Sequence, residues 1–306
     1  MRLLIAFSTI PVILMNMSFD PNSEEKLYAE QNQKPLFTFG IVADVQYAES
    51  ETAGTRFYRS SLNKLREAVS AFHEDSVDFV ITLGDLIDND YDSYKPVLNI
   101  LDSSGLKFYH VTGNHDYSVD ARYKRKLPSE YGARPGYYSV LFNNFRLIFL
   151  NGNEISTYSS KNRAIIKQAN ALLDTLKKRG EPNVMEWNGG VSDKQLLWLD
   201  NQMNEANVKN EKVFIFCHFP VFPENVHNLL NYKDVLIVLG KYQNTVAWFN
   251  GHNHAGNYGN FNMTHFVTLK GMVETESQNS FARIDVYGDK IWIVGSGREK
   301  SQILAY

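Results

Sequence analysis

The sequence predicts an α/β fold whose functional residues sit on loops at the carboxyl ends of strands. Two observations lead there. Short apolar, β-branched runs, Leu36–Val42, Asp78–Leu83, Val213–Cys217 and Val246–Asn250, have the length of buried strands and are separated by segments of helical periodicity. Each run is followed within two residues by Asp or His: Asp44, Asp85, His218 and His252. Open α/β sheets place their ligands at the carboxyl ends of strands, so these positions are informative in themselves.

Leu36–Val42 ends in Ala43-Asp44-Val45-Gln46, and alternate residues of an extended segment share a face, so Asp44 and Gln46 can approach one cation together. Tyr58–Glu74 carries Leu62, Leu65, Val69 and Phe72 at helical spacing and packs on the sheet. Asp78–Leu83 leads through Gly84 into Asp85. A carboxylate has two oxygens and can bridge two cations, and Asp85 is read as that bridge. A helix near Tyr94–Ser104 closes at Gly105, and the strand Lys107–Thr112 ends in Gly113-Asn114-His115-Asp116. There Asn114 offers a neutral amide oxygen, and His115 points toward the substrate side.

Lys124–Pro135 is basic and irregular, and Tyr137–Leu141 and Arg146–Leu150 read as strands around Asn143-Asn144. A helix near Asn162–Arg179 is followed by the turn Asn188-Gly189-Gly190. Ser192 and Gln195 form a capping-box pattern opening the helix Asp193–Ala206, whose Leu196, Leu197, Leu199 and Met203 are expected in the core. Val213–Cys217 ends in His218-Phe219-Pro220, and a helix near Tyr232–Leu239 precedes Val246–Asn250, which ends in Gly251-His252-Asn253-His254. Thr264–Leu269, Phe281–Val286 and Lys290–Val294 complete the strands.

Length and composition bound the rest. The 306 residues suit one large α/β domain or two small ones, and a net charge of −3 leaves no basic footprint for nucleic acid. Affinity for a polyanion must then come from local features such as bound cations. The single cysteine, Cys217, permits no intrachain disulfide and reads as a small buried hydrophobe. Most of the 17 Tyr and 19 Phe are assigned to packing. Met1–Arg2 followed by apolar Leu3–Met15 has the length of a signal-peptide core and is too short for a bilayer span. The pattern favours export over a cytoplasmic location, although Asn16–Phe19 makes a poor cleavage site. Residues 1–35 are therefore read as leader and linker and 36–306 as the catalytic domain.

Gathered on one rim, Asp44, Gln46, Asp85, Asn114, His218, His252 and His254 supply oxygen and nitrogen ligands for two divalent ions. Carboxylate, amide and imidazole suit Mn²⁺, Fe²⁺, Zn²⁺ or Mg²⁺ and do not select a soft metal. Two metals about 3.5–4 Å apart polarise phosphoryl oxygens and lower the pKa of a shared water, giving a hydroxide aligned for in-line attack. His73 and His110 are assigned to packing or surface, and His227 and His265 have no assigned role.

The ordered pattern D-x-Q, G-D, G-N-H-D, H-x-P and G-H-x-H resembles the calcineurin-like metallophosphoesterases. The resemblance implies a four-layer α/β/β/α sandwich of two mixed sheets flanked by helices. It also implies roles: Asp44, Gln46, Asp85 and His254 on one metal, Asp85, Asn114, His218 and His252 on the other. His115 would be the catalytic residue over the substrate, giving a proton or hydrogen bond to an oxygen. Most of that superfamily carries histidine where this chain has Gln46, and an amide there favours a hard ion such as Mn²⁺. Glutamine at this position is similar to the manganese-dependent ADP-ribose/CDP-alcohol diphosphatases. So are Phe39–Tyr47, Arg56–Leu62, Asn188–Leu199, Leu269–Thr275 and the tail Gly295–Tyr306, which extends the likeness from about residue 36 to the end. The resemblance implies hydrolysis of a diphosphate linkage in a small nucleotide-diphosphate substrate by a monomer, releasing a nucleoside monophosphate and a phosphorylated alcohol or sugar.

The same centre would also serve a phosphomonoesterase, another phosphodiesterase or a protein phosphatase, because pocket loops decide the substrate. A catalytically silent scaffold is the alternative of another class, and the presence of His115 with all seven candidate ligands argues against it. Asp88 stands where tyrosine-ligated acid phosphatases place Tyr. Tyr47, Arg56, Arg59, Phe219, Asn231 and Tyr232 are the candidate substrate contacts, chosen because they lie near ligand-bearing segments.

Overall fold

The computed structural model of the chain describes residues 34–127 and 136–306. The expected signal peptide, nearly all of the leader and the 128–135 part of the basic stretch lie outside the described residues. In chain order the elements are β1 (Phe37–Val42), α1 (Ser61–Glu74), β2 (Phe79–Thr82), α2 (Tyr94–Ser103), β3 (Phe108–His110), β4 (Tyr138–Phe142), β5 (Phe145–Phe149), α3 (Arg163–Arg179), α4 (Asp193–Val208), β6 (Lys212–Phe216), α5 (Tyr232–Leu239), β7 (Thr245–Asn250), β8 (Asn257–Phe261), β9 (Thr264–Thr268), β10 (Ser280–Val286), β11 (Lys290–Gly297) and β12 (Gln302–Ala305). One sheet runs β12-β11-β10-β1-β2-β3 and the other β4-β5-β6-β7-β9-β8. Both are mixed: β1, β2 and β3 are parallel, as are β5, β6, β7 and β9, while the remaining pairs are antiparallel.

β1 shows how the sequence builds the layers. Phe37, Phe39 and Ile41 point into the space between the sheets, and the alternate residues face α1. A Cβ on Gly40 would lie 2.7 Å from the Phe72 ring, so α1 can seat that ring only over a glycine. Phe39 stacks on Phe79 at 5.3 Å and meets Phe216 and Phe249 edge-on at 6.0 and 6.1 Å, which ties the two sheets together. A second apolar layer joins α1 and α2 to the first sheet, through Leu65, Val69, Phe72, Val97 and Leu101. A third joins α4 and α5 to the second, through Leu199, Met203, Val235 and Trp248. Three apolar layers between four structural layers make the α/β/β/α sandwich that the sequence motifs implied.

The differences from expectation have local causes. β8 and β12 were not expected; both are edge strands, Asn257–Phe261 (N-Y-G-N-F) carries no continuous apolar run, and Gln302–Ala305 carries only three apolar residues. Leu197 was expected in the core and is 63 % exposed, because the buried stripe of α4 runs through Gln195, Leu199, Met203 and Ala206. The capping box is half made. Ser192 Oγ accepts from the Gln195 backbone at 3.2 Å, but the Gln195 side chain is committed to Asn151 and Glu154. Glu154 takes the Ser192 N–H at 3.0 Å in its place. Among the described residues no helix is long and apolar enough to cross a membrane.

Phe39→Ala would remove a ring that both sheets share. It is expected to lower the unfolding free energy by about 3–5 kcal/mol in chemical denaturation. A near-neutral result would mean that the inter-sheet aromatic layer does not hold the sandwich.

Candidate metal centre

Five strand ends meet at one rim. The segments after β1 and β2 run side by side, with Gln46 N–H donating to Asp85 O at 2.8 Å and Tyr47 N–H to Leu86 O at 3.1 Å. Asp116 binds the turns after β2 and β3 together: its carboxylate accepts from the backbone N–H groups of Asp85 (2.9 Å), Leu86 (2.9 Å) and Gly113 (2.8 Å). Within the second sheet the Gly251 N–H donates to His218 O at 3.0 Å, and across the sheets the His252 N–H lies 3.1 Å from both Asp44 oxygens. The turns are tight enough that a Cβ on Gly113 would collide with the Asp85 carboxylate and one on Gly251 with the Asp44 carboxylate.

Backbone strain is concentrated here. Asp44, Gln46, Asp85 and His252 have φ of 52°, 44°, 54° and 67°, the left-handed region that side-chain-bearing residues rarely adopt. Such conformations persist only where the surroundings over-determine them.

The imidazole tautomers are fixed by partners outside the cluster. His218 Nδ1 lies 2.7 Å from Leu83 O, and a carbonyl only accepts, so Nδ1 carries the proton. Asn188 donates its amide to Asn183 O (3.0 Å) and Val226 O (2.8 Å), which turns its Oδ1 onto His252 Nε2 at 2.9 Å. His254 Nδ1 donates to Glu274 at 2.7 Å. The free nitrogens therefore face inward. His218 Nε2 lies 3.1 Å from His252 Nδ1, 3.2 Å from Asp85 Oδ2 and 3.2 Å from Asn114 Oδ1. His254 Nε2 lies 3.4 Å from Asp44 Oδ1 and 3.3 Å from the Gln46 amide nitrogen, which can donate to it. Lone pairs so close repel unless a cation or a proton stands among them. Gln46 Oε1 is buried without a hydrogen-bond donor, a further place where positive charge fits. The donor set thus suits a hard or borderline divalent ion, and Asp85, His218 and His252 already lie within one ion's reach of each other.

Charge follows the same logic. Burial opposes the His218 imidazolium, but Asp85 and Asp44 hold its pKa up to about 9. Burial likewise opposes His254, which Asp44 and Glu274 hold up to about 9. Burial and the neighbouring His218 push His252 well below the ordinary value. Burial disfavours the Asp85 anion, but His218 and His115 keep its pKa well below the usual carboxylate range. Protons can therefore take the place of a cation here, and metal must compete with them.

All seven candidate ligands come together at this rim, beside His115. Its backbone N–H donates to Asp85 at 2.7 Å, and its Nδ1 is 2.5 Å from Asp88. Burial opposes a charge on His115, while Asp85 and Asp88 raise its pKa above the ordinary value. A cavity of about 700 Å³ opens on the cluster, and Arg56 lines it with Nη1 3.5 Å from His115 Nε2. The other candidate substrate contacts are not brought to the cavity, because each is committed within the fold. Arg59 pairs with Glu49 (2.6 Å) and Glu51 (2.7 Å) at the surface, and Tyr47 donates its hydroxyl to Glu49. Phe219 is fully buried against the His218 and His252 rings. Asn231 is bonded to the Val191 backbone through both amide atoms, and Tyr232 donates to Glu224. Sequence reasoning missed Trp187 and His227, which line the cavity with ring centroids 5.1 and 5.6 Å from His252. It also missed the supporting partners Asn188 and Glu274. Asp88, three residues after Asp85, was the one with a usable signal. Cys217 is fully buried, its thiol pushed up to about 12 by burial, as a small hydrophobe should be.

Residues 37–256 match the calcineurin-like phosphoesterase family, and the chain belongs to that family. The fold and the metal-ready cluster thus define a metal-dependent hydrolase of phosphoric esters or anhydrides. Within that class the chain is similar to the manganese-dependent ADP-ribose/CDP-alcohol diphosphatase of Homo sapiens, 30 % identical over 95 % of this chain and 98 % of the relative. The protein of the same name from Arabidopsis thaliana is 28 % identical over 88 % of this chain and 97 % of its own length. Among solved structures, a dimetal phosphatase from Danio rerio superposes with a TM-score of 0.81 at 28 % identity, covering 89 % of this chain and all of that one.

Two outcomes follow from the tautomer locks and the protons. Asn188→Leu removes the acceptor that holds His252 and is expected to weaken Mn²⁺ binding by about 10–100-fold in calorimetry. Unchanged affinity would show that the lock is idle. In the metal-free protein, the raised His218 and His254 pKa values stabilise the fold below about 6.5 and lose that effect as pH rises through about 9. Metal displaces those protons, so the rise in melting temperature on adding Mn²⁺ should be larger at pH 8.5 than at pH 6.5. Equal rises would mean that protons and metal do not compete.

Proposed function

We propose that this chain hydrolyses the diphosphate bond of nucleotide-linked sugars and alcohols, of the ADP-ribose and CDP-alcohol kind, using two divalent ions with Mn²⁺ preferred. One observation carries the reading: a cavity of nucleotide size opens directly on the cation-seeking cluster, and Trp187, 38 % exposed, lines it. An exposed indole beside an anion site suits a base linked to phosphates. The names and nearly full-length matches of the relatives support the same substrate class. Residues 36–306 form the catalytic domain in this reading, and the monomer is the working unit.

Asp44, Gln46, Asp85 and His254 would hold one ion, and Asp85, Asn114, His218 and His252 the other. Ions held there would supply Lewis-acid activation of a phosphoryl oxygen and of the attacking water. Asp85 and Asp116 keep the turns in register. Asp88 orients His115, leaving Nε2 toward the cavity beside Arg56. Two potential donors 3.5 Å apart make a seat for one anionic oxygen. A protonated His115 can then donate at Nε2 to the departing or a non-bridging oxygen, consistent with its raised pKa. Trp187 would stack on the base, its ring braced by His227 at 5.2 Å.

The test is turnover of ADP-ribose, CDP-choline, a generic phosphodiester and a phosphomonoester by metal-stripped protein with Mn²⁺ or Mg²⁺ restored. Turnover of the diphosphates alone, and much greater with Mn²⁺, is expected. Turnover of only the diester or monoester would discard the diphosphatase reading. His115→Ala should cut turnover by about 10²–10⁴-fold with metal content unchanged. Loss of metal in that variant would make His115 a ligand.

A further inference from the structure

Lys64 is a buried cation that this chemistry leaves unused. It sits on the buried face of α1, 2 % exposed. Its ammonium donates to three carbonyls of one short loop: Met272 O, Glu274 O at 3.1 Å and Thr275 O at 2.9 Å. An ammonium has three N–H donors and all three are used, which offsets the cost of taking the charge from water. Burial and the nearby Arg298 push it down to about 8, against Glu274 and Glu67.

The loop that it grips touches the metal centre twice. Met272 N–H donates to Ala43 O at 3.0 Å and Val273 N–H to Asp44 O at 2.9 Å, bracing the segment that delivers Asp44 and Gln46. Glu274 receives the His254 Nδ1 proton at 2.7 Å and so turns Nε2 toward Asp44 and Gln46. The loop is also strained. Thr275 has φ of 64°, a conformation that β-branched residues avoid, and three carbonyls aimed at one point repel each other without a cation between them.

We infer that Lys64 is a positioning residue for the metal ion assigned to His254: its three-carbonyl grip fixes the loop that carries Glu274 and braces Asp44. This rests on the reading of His254 as a metal ligand. A purely structural Lys64 would affect stability alone, whereas a positioning Lys64 affects one metal site of the two.

Lys64→Met keeps the stem and removes all three donors. Mn²⁺ binding to metal-stripped protein, followed by the electron paramagnetic resonance of free Mn²⁺, should show one of the two ions bound about 10-fold more weakly or worse, and the other unchanged. The double variant Lys64→Met/His254→Gln should bind no more weakly than His254→Gln, since both act on the same ligand. Wild-type affinity in Lys64→Met, with only a lower melting temperature, would overturn the inference, as would fully multiplicative losses in the double variant. If Lys64→Met does not fold, Lys64→Arg serves. It keeps the charge, but its planar fork cannot aim three N–H groups at converging carbonyls, so one site should still weaken several-fold. Wild-type affinity there would equally overturn the inference. If His254→Gln itself leaves both ions unaffected, the ligand reading fails and the inference falls with it. A silent Lys64→Met beside a weakened His254→Gln removes the role of Lys64 alone.

Discussion

Four lone-pair atoms from four chain segments, His218 Nε2, His252 Nδ1, Asp85 Oδ2 and Asn114 Oδ1, converge so closely that a proton or a cation must stand among them. Much of the surrounding structure exists to keep them there. The Leu83 carbonyl, Asn188 and Glu274 each accept a hydrogen bond from the outer nitrogen of a histidine, so the inner nitrogens face the cluster, where a proton or a metal ion can sit. Glycines at 113 and 251 let the carboxylates of Asp85 and Asp44 lie against backbone. Left-handed backbone at Asp44, Gln46, Asp85 and His252 lets a strand stop and present a side chain within one or two residues. Each left-handed residue costs about 1–3 kcal/mol. That cost has to be met by packing elsewhere, and the inter-sheet layer of stacked phenylalanines directly beneath the rim is where it can be.

Parallel strands explain why the ligands share one side. β1, β2 and β3 run one way in the first sheet and β6 and β7 one way in the second, so their carboxyl ends gather at one edge of each sheet. A helical return after each of several strands carries the chain back without crossing the site. The fold thus collects side chains distant in sequence, and Asp116 and the backbone pairing of residues 44–47 with 84–87 set their spacing.

What was legible in the sequence follows from this. Asp44, Asp85, Asn114, His218 and His252 could be read because each comes at the end of an apolar run, a local pattern. The partners that orient them could not, because those contacts are long-range: His252 to Asn188 is 64 residues apart and Lys64 to Met272 is 208. Asn188 looked like the start of a turn over 188–190; it instead closes the turn from Met185, its N–H donating to Met185 O at 3.0 Å, and its side chain faces the site. Five of the six candidate substrate contacts, Tyr47, Arg59, Phe219, Asn231 and Tyr232, lie off the cavity, because nearness in sequence is not nearness in space. Arg56 and Arg59 are three residues apart, yet one lines the cavity and the other pairs with Glu49 and Glu51 at the surface. β8 and β12 escaped because edge strands need no continuous apolar run.

Gln46 is where the charge balance becomes informative. Of the seven candidate ligands only Asp44 and Asp85 are anionic; the amides and neutral imidazoles add nothing. Two divalent ions would bring four positive charges to these two negative ones, leaving a net charge of about +2, close to what a diphosphate diester neutralises at pH 7. The Gln46 amide nitrogen lies 3.2 Å from Asp85 Oδ2, with Oε1 left without a donor. A half-turn of the amide exchanges the two atoms and would set its oxygen beside Asp85 and His254 as a ligand in the proposed site. A buried amide oxygen without a donor costs about 1–3 kcal/mol, so a cation gains that much by satisfying it. An imidazole at this position would bind a softer ion more tightly and make no such demand. In the proposed two-ion site the Gln46 amide would trade affinity for a preference for oxygen-seeking ions, and the charge of the ions would let a protein with a net charge of −3 hold a polyanion without a basic surface.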